Sequence, residues 1–244
     1  MLGWLASAVR LDVAYAYSRI AQHCAKPTIS AMEAVLKAFR YLRDARDWCI
    51  SAPVYEDDRH PVIETGTTTL NPTWRFMCDS DHAGNAETEN RRRSQNGLMI
   101  TQNTAPCVWQ SKASSVAFAC EKIGEAHADV SSAAVEIYSA GNATFDILAT
   151  SYVVEEMGME FPSPFTLEMD NDAARIFAAA SAQKTKLKHI DCRQERVCTL
   201  RNREICTPVH IPALDNLSDI FTRIISGPEF IRLRAMCIKQ HSID

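Results

Sequence analysis

The fold is decided by a short β-prone run that ends on an aspartate, Trp74-Arg75-Phe76-Met77-Cys78-Asp79. Three further acids stand in otherwise apolar elements. Glu136 lies inside a long apolar helix pattern, Asp170 closes the run 165–169, and Asp219 opens a short apolar run. A buried carboxylate is costly unless it is paired or bound to a cation. Four that converge would repel one another unless divalent metal neutralised them, which predicts a two-metal site of the phosphodiester-cleaving kind.

The elements around these acids alternate between strands and helices. β-Prone runs at 74–79, 97–101 and 106–110 are separated by polar turns, which predicts three successive strands. The remaining predicted elements are a helix at 131–157, a strand at 164–169, helices at 171–182 and 188–202, a strand at 205–211 and a helix at 216–225. Three strands followed by alternating helices and strands predict an α/β fold, a mixed sheet with helices packed against it.

The segments outside this pattern predict a division of the chain. Apolar residues recur at helical spacing within residues 1–48, which predicts two helices with a break near Pro27. Residues 49–73 hold three prolines, a charged run and a threonine run, and are predicted to be a linker, with a long surface loop as the alternative. A domain at 74–226 and a C-terminal helix or tail at 227–244 complete the predicted division.

Composition narrows the class of protein. Among the 244 residues 46% are hydrophobic and 23% are charged, as in ordinary globular proteins. No apolar run approaches the roughly 20 residues that cross a bilayer, and no leader pattern is present. We therefore expect a soluble, intracellular protein with no membrane contact, in cytoplasm or nucleus. The nine cysteines are odd in number and contain no C-x-x-C pair, which argues against a disulfide framework or a zinc ribbon.

Basic residues are clustered although the formal net charge is −4. One cluster is Arg91-Arg92-Arg93, and another runs from Lys184 to His189. A local basic patch can hold a phosphate backbone even on an acidic protein. Two solvated loops are the alternative interpretation of the same residues.

Several local strings, in order along nearly the whole chain, resemble the C-terminal part of a copia-type retrotransposon Pol polyprotein, namely the end of the reverse transcriptase and the ribonuclease H domain. The strings are residues 3–43, Cys78-Asp79-Ser80-Asp81-His82-Ala83-Gly84, Arg92-Arg93-Ser94 with Gly97, Trp109-Gln110-Ser111-Lys112, Asp170-Asn171-Asp172-Ala173-Ala174, Lys186-Leu187-Lys188-His189-Ile190-Asp191-Cys192-Arg193, and 211–223. The resemblance implies a ribonuclease H-like mixed five-stranded sheet with flanking helices, preceded by a two-helix appendage.

The resemblance also implies a site and a cofactor. The implied catalytic and metal-binding residues are Asp79, Glu136, Asp170 and Asp219, which would hold two Mg²⁺ ions, with Mn²⁺ able to substitute. Asp79 rather than Asp81 matches the first aspartate, and Asp81 is expected to face the turn. On the helix, Ala134 stands where the family usually has a first glutamate, so Glu136 is the expected ligand.

The implied activity is hydrolysis of the RNA strand of RNA–DNA hybrids. The implied partners are that hybrid and the rest of a reverse transcriptase polyprotein, with no small-molecule cofactor and no polymerase activity. The implied nucleic-acid-binding residues are Arg92, Arg93, Lys112, Lys186, Lys188, His189 and Arg193.

Two alternatives stay open at this point. A catalytically inactive transposon remnant that folds and binds nucleic acid is favoured by the lost family residues and by the acidic net charge. About ten extra residues near 121–130 would either form an ordered loop near the substrate or disturb the spacing of the family. An integrase-like nuclease of the same fold is disfavoured by the string at 170–174 and by the absence of zinc-binding His/Cys pairs before the domain. The presence of all four acids favours an active ribonuclease H.

Overall fold

The chain is built from six helices and seven strands in the part described by the computed structural model, which is residues 1–51, 73–81, 93–117, 132–171, 175 and 188–241. In order they are α1 (Leu2–Ala8), α2 (Ala14–Ala21), α3 (Ile29–Asp44), β1 (Trp48–Cys49), β2 (Trp74–Asp81), β3 (Arg93–Gln102), β4 (Ala105–Ala117), α4 (Ser132–Glu156), β5 (Phe165–Met169), α5 (Lys188–Asn202), β6 (Cys206–His210), α6 (Gly227–Cys237) and β7 (Lys239–Gln240). Short 3₁₀ helices form at Leu11–Val13, Ala213–Asp215 and Leu217–Phe221.

Five strands form one mixed sheet in the order β4-β3-β2-β5-β6. The first three strands of the sheet along the chain pair antiparallel, whereas β5 pairs parallel with both β2 and β6. A parallel pair needs a crossover connection, and α4 lies between β4 and β5 in the chain. The predicted mixed five-stranded sheet with flanking helices is therefore confirmed.

The central strand β2 is buried on both faces, as its sequence requires. Phe76 and Cys78 pack into a core with α4, α5 and the neighbouring strands, while Met77 packs into a second core on the opposite face. Successive side chains of a strand point to opposite faces of its sheet. The near-continuous apolar run before Asp79 therefore marks a strand with a layer on each side.

The hairpin of β3 and β4 extends beyond the predicted strands at 97–101 and 106–110. Its register runs from Gln102↔Ala105 at the turn to Arg93↔Ala117 at the far end. The additional paired residues are largely polar, so an alternating apolar pattern does not predict them as strand. Some of these polar side chains form hydrogen bonds. The Gln95 side-chain amide donates to Ser111 Oγ at 2.9 Å and to Ser18 Oγ of α2 at 2.8 Å.

Most other predicted elements are confirmed, and one is wrong. α4, α5, β5 and β6 occupy the predicted ranges within one or two residues. The helix predicted at 171–182 lies almost wholly outside the described residues. The helix predicted at 216–225 is instead the 3₁₀ helix Leu217–Phe221, because the Asn216 side chain accepts from the Ser218 N–H and the chain continues with i→i+3 bonds to Thr222.

The N-terminal segment forms three helices where two were predicted. The run that periodicity joins into one helix is divided between α1 and α2 at Arg10. The Arg10 guanidinium makes two hydrogen bonds to the Asp12 carboxylate, at 2.9 and 2.7 Å, and both side chains are buried. The turn that brings these two side chains together interrupts the helix.

These N-terminal helices cover the second face of the sheet together with the C-terminal elements. Leu11 and Ala14 share a buried cluster with Met77 and Met99 of the sheet and with Leu233 of α6. β1 also pairs with β7, next to the C-terminal end of α6. The described parts of the predicted helical segment and tail therefore pack on the sheet, while the boundaries at 48, 73 and 226 stay predictions.

A buried polar network ties the N-terminal helices to α6. Asp12 accepts from Arg10 and from the Tyr41 hydroxyl, which in turn accepts from Arg234 of α6 at 2.9 Å. The Arg234 guanidinium also lies 3.9 Å from the ring centroid of Trp48. In a buried network of this kind, the loss of one partner leaves another polar group without its hydrogen bond.

Replacing Tyr41 by phenylalanine is expected to lower the free energy of unfolding by about 1–2 kcal/mol, because Asp12 loses a donor and Arg234 loses an acceptor. Urea denaturation of the full chain measures the change. Tyr152→Phe is the matched control, since Tyr152 is 65% exposed and should change stability little. Equal losses in the two variants would contradict the network.

Within the part of the chain described, no helix combines the length and apolar character needed to span a bilayer.

Candidate functional site

Three of the four predicted acids meet at one end of the sheet. β2 and β5 pair with the register Phe76↔Leu167, and continuing that register by three residues places Asp79 beside Asp170. The neighbouring helix α4 brings Glu136 to the same point, where it is 5% exposed. One carboxylate oxygen from each of these three residues lies within 4.8 Å of the others.

Asp219 approaches this group from the 3₁₀ helix Leu217–Phe221 and is 1% exposed. Asp219 does not belong to the 4.8 Å group, but the charges of Asp79 and Asp170 raise the pKa of its carboxyl. Burial, followed by the charge of Asp79, raises the pKa of Asp219 from 3.8 to about 7. The structure thus brings all four predicted acids together.

A glycine allows the 3₁₀ helix to reach Asp79. Gly97 of β3 stands opposite Asp79 in the strand register. A Cβ atom at Gly97 would lie 2.8 Å from the Ser218 carbonyl oxygen and 2.8 Å from Thr222 Cγ2. Any larger residue would push this helix, and with it Asp219, away from the sheet.

Hydrogen bonds at both ends of this 3₁₀ helix hold it against β2. The Thr222 hydroxyl donates to Asp79 Oδ2 in a short hydrogen bond, and the Asn216 side-chain amide donates to the Cys78 carbonyl at 3.2 Å. From the other side, the Ser139 hydroxyl of α4 donates to the backbone carbonyl of Asp79 at 2.8 Å. Asp79 is therefore positioned by two separate elements.

The electrostatics of the cluster indicate a cation site. Burial and then the charge of Asp79 raise the pKa of the Glu136 carboxyl and of the Asp170 carboxyl. Among the described atoms, Glu136 Oε2 and Asp219 Oδ1 are buried without a hydrogen-bond partner. Hard carboxylate oxygens that are close, buried and unpartnered fit a divalent cation such as Mg²⁺.

The metal-free protein is expected to lose stability as the pH rises from about 4 to about 7. An acid with a raised pKa in the folded state holds protons there that the unfolded chain has released, so the free energy of unfolding falls with increasing pH in that window. For Asp219 the window lies between 3.8 and about 7. Each kcal/mol shifts the Tm of a chain this size by about 2–4 °C. A loss of about 1–2 kcal/mol in the free energy of unfolding would therefore lower the Tm by roughly 5 °C.

Thermal unfolding in EDTA across this pH range measures the effect. Saturating Mg²⁺ should reduce the dependence of the Tm on pH, because the bound cation replaces the protons that the acids hold in EDTA. Asp219→Asn should reduce the dependence of the Tm on pH in EDTA, because the variant lacks the titrating carboxyl. An unchanged slope in that variant would contradict the assignment to Asp219.

The predicted nucleic-acid-binding residues are only partly described. Lys112 and Arg193 line one cavity of about 280 Å³ between β3, β4 and α4. The Arg193 Nε–H donates to Asn142 Oδ1 at 2.8 Å, and its guanidinium lies 5.4 Å from the ring centroid of Tyr138. Arg92 and Lys186 lie outside the described residues, and only the backbone is described for Arg93, Lys188 and His189.

Asp81 is the last residue of β2, and the turn that it is expected to face lies outside the described residues, so that expectation stays a prediction. Asp81 pairs with Gln95 of β3, so the pairing of β2 with β3 continues beyond the apolar run that precedes Asp79. Burial raises the pKa of Tyr15 on α2, and the charge of Asp81 raises it further. Asp81 is not in the 4.8 Å group.

Sequence reasoning did not assign a role to Thr222, Arg223 or Asn216. The first two follow Asp219 by three and four positions, and residues at those spacings face one another on a helix. Arg223 Nη2 makes a short ion pair with Asp219 Oδ2. The helical spacing was the available signal, whereas nothing in the local sequence marks Asn216.

The chain is similar to two retrovirus-related Pol polyproteins of Arabidopsis thaliana, from the transposons RE2 and RE1. Each is 23% identical over 221 residues, which is 91% of this chain. The chain spans 13% of the length of these relatives. No family model matches. The resemblance to copia-type Pol polyproteins is thereby confirmed.

Two solved structures are also similar. RNase H1 from the halophilic archaeon Halobacterium salinarum is 12% identical, with a TM-score of 0.38, and the match covers 60% of this chain and 92% of that chain. LC11-RNase H1, isolated from compost, is 12% identical, with a TM-score of 0.35, and the match covers 61% of this chain and 91% of that chain.

Proposed function

We propose that this protein is a metal-dependent endonuclease that hydrolyses the RNA strand of RNA–DNA hybrids. The observation that carries the proposal is the buried group of Asp79, Glu136 and Asp170, whose oxygens lie within 4.8 Å, with Asp219 beside it. The mixed five-stranded sheet and the similarity to retrovirus-related Pol polyproteins support it.

Two Mg²⁺ ions held by the four acids would activate a water molecule and stabilise the leaving 3′ oxygen. The chain's own contribution is to hold the carboxylates where these ions fit. Thr222 fixes the orientation of Asp79 through its hydroxyl, and Ser139 fixes the backbone at the same residue. Preorganised groups of this kind need no rearrangement during the reaction.

Selection of RNA over DNA would depend on the ribose 2′-hydroxyl. We assign contact with that hydroxyl to Glu136, whose Oε2 is a buried acceptor without a partner among the described residues. Its raised pKa means that the metal-free site keeps this carboxyl protonated more readily than an exposed glutamate. Cation binding would favour the ionised acceptor.

Phosphate groups of the hybrid would contact the cavity beside the acids. Lys112 is exposed at its wall and Arg193 is held in place by Asn142 and by the Tyr138 ring. We assign the same role to Arg92, Arg93, Lys186, Lys188 and His189 from their sequence positions. Backbone contacts of this kind give little base preference.

The test is cleavage of labelled substrates by the purified chain with Mg²⁺ or Mn²⁺. An RNA–DNA hybrid, duplex RNA, duplex DNA and single-stranded RNA are compared, with Glu136→Gln as the control variant. We expect cutting of the RNA strand in the hybrid alone and its loss in the variant. Hybrid binding without cleavage by a folded sample in either metal would overturn the proposal and support the inactive remnant.

A further inference from the structure

The four-acid group has a cationic partner within the chain. Arg223 forms an ion pair with Asp219, and within the described residues no other ion pair involves Asp79, Glu136, Asp170 or Asp219. The guanidinium is also close enough for its charge to oppose the rise in the pKa of Asp170. Arg223 therefore offsets part of the negative charge that the metal-free site would otherwise leave uncompensated.

Arg223 reaches the site from the solvent side. Its side chain is 49% exposed, whereas the Asp219 side chain is 2% exposed. It binds Asp219 Oδ2, while Oδ1 stays buried without a partner in the described part of the chain. An exposed side chain that binds one oxygen of a buried carboxylate can withdraw without opening the core.

There is open space for the withdrawn side chain. Arg223 also lines a cavity of about 480 Å³ between α2, α3 and α6, with Tyr15 and Phe230 among its walls. Its neighbour Ile224 is 87% exposed, so the chain just after the 3₁₀ helix is not enclosed. The guanidinium can therefore exchange its contact with Asp219 for solvent.

We propose that Arg223 is the resident counter-ion of the site, which pairs with Asp219 while no divalent cation is bound and releases that carboxylate when the cation binds. The inference rests on the proposed function for the existence of a cation site. A guanidinium and a divalent cation at one carboxylate repel each other. The two occupants of Asp219 therefore compete.

Competition has a consequence that a purely structural role would not have. Removing the guanidinium should strengthen Mg²⁺ binding, because the cation no longer displaces a competitor. The same change should weaken the metal-free protein, because a buried carboxylate loses its partner. A residue that only held the 3₁₀ helix in place would lower stability with and without metal, and would not strengthen Mg²⁺ binding.

The experiment is calorimetric titration of Mg²⁺ into the EDTA-treated and dialysed full chain, with thermal unfolding in EDTA and in saturating Mg²⁺. The variants are Arg223→Met, which keeps the apolar stem, and Arg223→Lys, which keeps the charge. Arg203→Met is the matched control, since Arg203 is exposed at the end of α5 and its loss changes the net charge equally.

We expect the Mg²⁺ Kd of Arg223→Met to fall roughly tenfold, with a smaller decrease for Arg223→Lys and none for Arg203→Met. The Tm of Arg223→Met should fall in EDTA and recover in saturating Mg²⁺. An unchanged or weaker Mg²⁺ affinity in Arg223→Met would overturn the inference alone. Absence of Mg²⁺ binding in the wild-type chain and every variant would overturn the proposed metal site as well.

Discussion

Replacing Asp79 by asparagine is expected to reduce cleavage of the RNA strand about a thousandfold or more. Asp79 is the acid whose charge acts on Glu136, Asp170 and Asp219 alike, so its carboxylate lies at the centre of the site. Asparagine keeps the shape of the side chain and can still accept the hydrogen bond from Thr222. What is lost is the charge that would hold two cations, and such a change weakens stabilisation of the transition state directly.

Cleavage rates at saturating Mg²⁺, measured on the labelled hybrid, give the size of this effect. Asp81→Asn is the matched control, because Asp81 lies two residues further along the same strand and outside the 4.8 Å group. It should retain near-normal cleavage. If Asp81→Asn abolished cleavage and Asp79→Asn did not, the assignment of the metal-binding aspartate would be wrong.

The same Asp79→Asn variant should be more stable than the wild-type chain when metal is absent. Like charges in a buried site destabilise the folded state, and asparagine removes the charge that raises the pKa values of Glu136, Asp170 and Asp219. A higher Tm in EDTA together with loss of cleavage would separate a functional defect from a folding defect.

Replacing Gly97 by alanine is expected to reduce cleavage about a hundredfold and to lower the free energy of unfolding by about 1–3 kcal/mol. The added Cβ would lie 2.8 Å from the Ser218 carbonyl oxygen, which is backbone and cannot turn aside. The 3₁₀ helix must then move away from β3. Asp219 and the Thr222 hydroxyl move with it, so the cluster loses one carboxylate and the hydrogen bond that orients Asp79.

Urea denaturation and the cleavage assay measure the two parts of this prediction. Gly227→Ala is the matched control, since a Cβ at Gly227 would meet no atom within 4 Å. That variant should be close to wild type in both measurements. A Gly97→Ala protein with normal cleavage would show that the approach of the 3₁₀ helix does not position the site.

The packing of the N-terminal helices bears on how the site is supported. α2 contributes the hydroxyl of Ser18 to Gln95 of β3, which is two residues from Gly97. The same helix places Tyr15 near Asp81 at the end of β2. The N-terminal segment therefore contacts β2, which carries Asp79, and β3, which carries Gly97, although periodicity separated it from the domain.

Local pattern predicted most of the described elements in order, and it singled out four acids that the structure places close together. Period-2 and period-3.6 apolar repeats report which face of an element is buried, and a carboxylate inside such a repeat is conspicuous because burial is costly. The helices α4 and α5 and the strands β5 and β6 follow from these repeats. Polar strand residues such as Gln95 do not, because hydrogen bonds from other elements satisfy them.

Tertiary structure alone decided what surrounds the acids. The pairing of β1 with β7, the joining of α1–α3 to the second face of the sheet, and the seating of Asn216 under Cys78 link residues far apart in the chain. The need for glycine at position 97 appears only when the 3₁₀ helix is seated on β3. A sequence repeat records which side chains avoid water, but it does not record which distant surface covers them. The four acids could therefore be singled out from the chain, whereas the contacts that surround them could not.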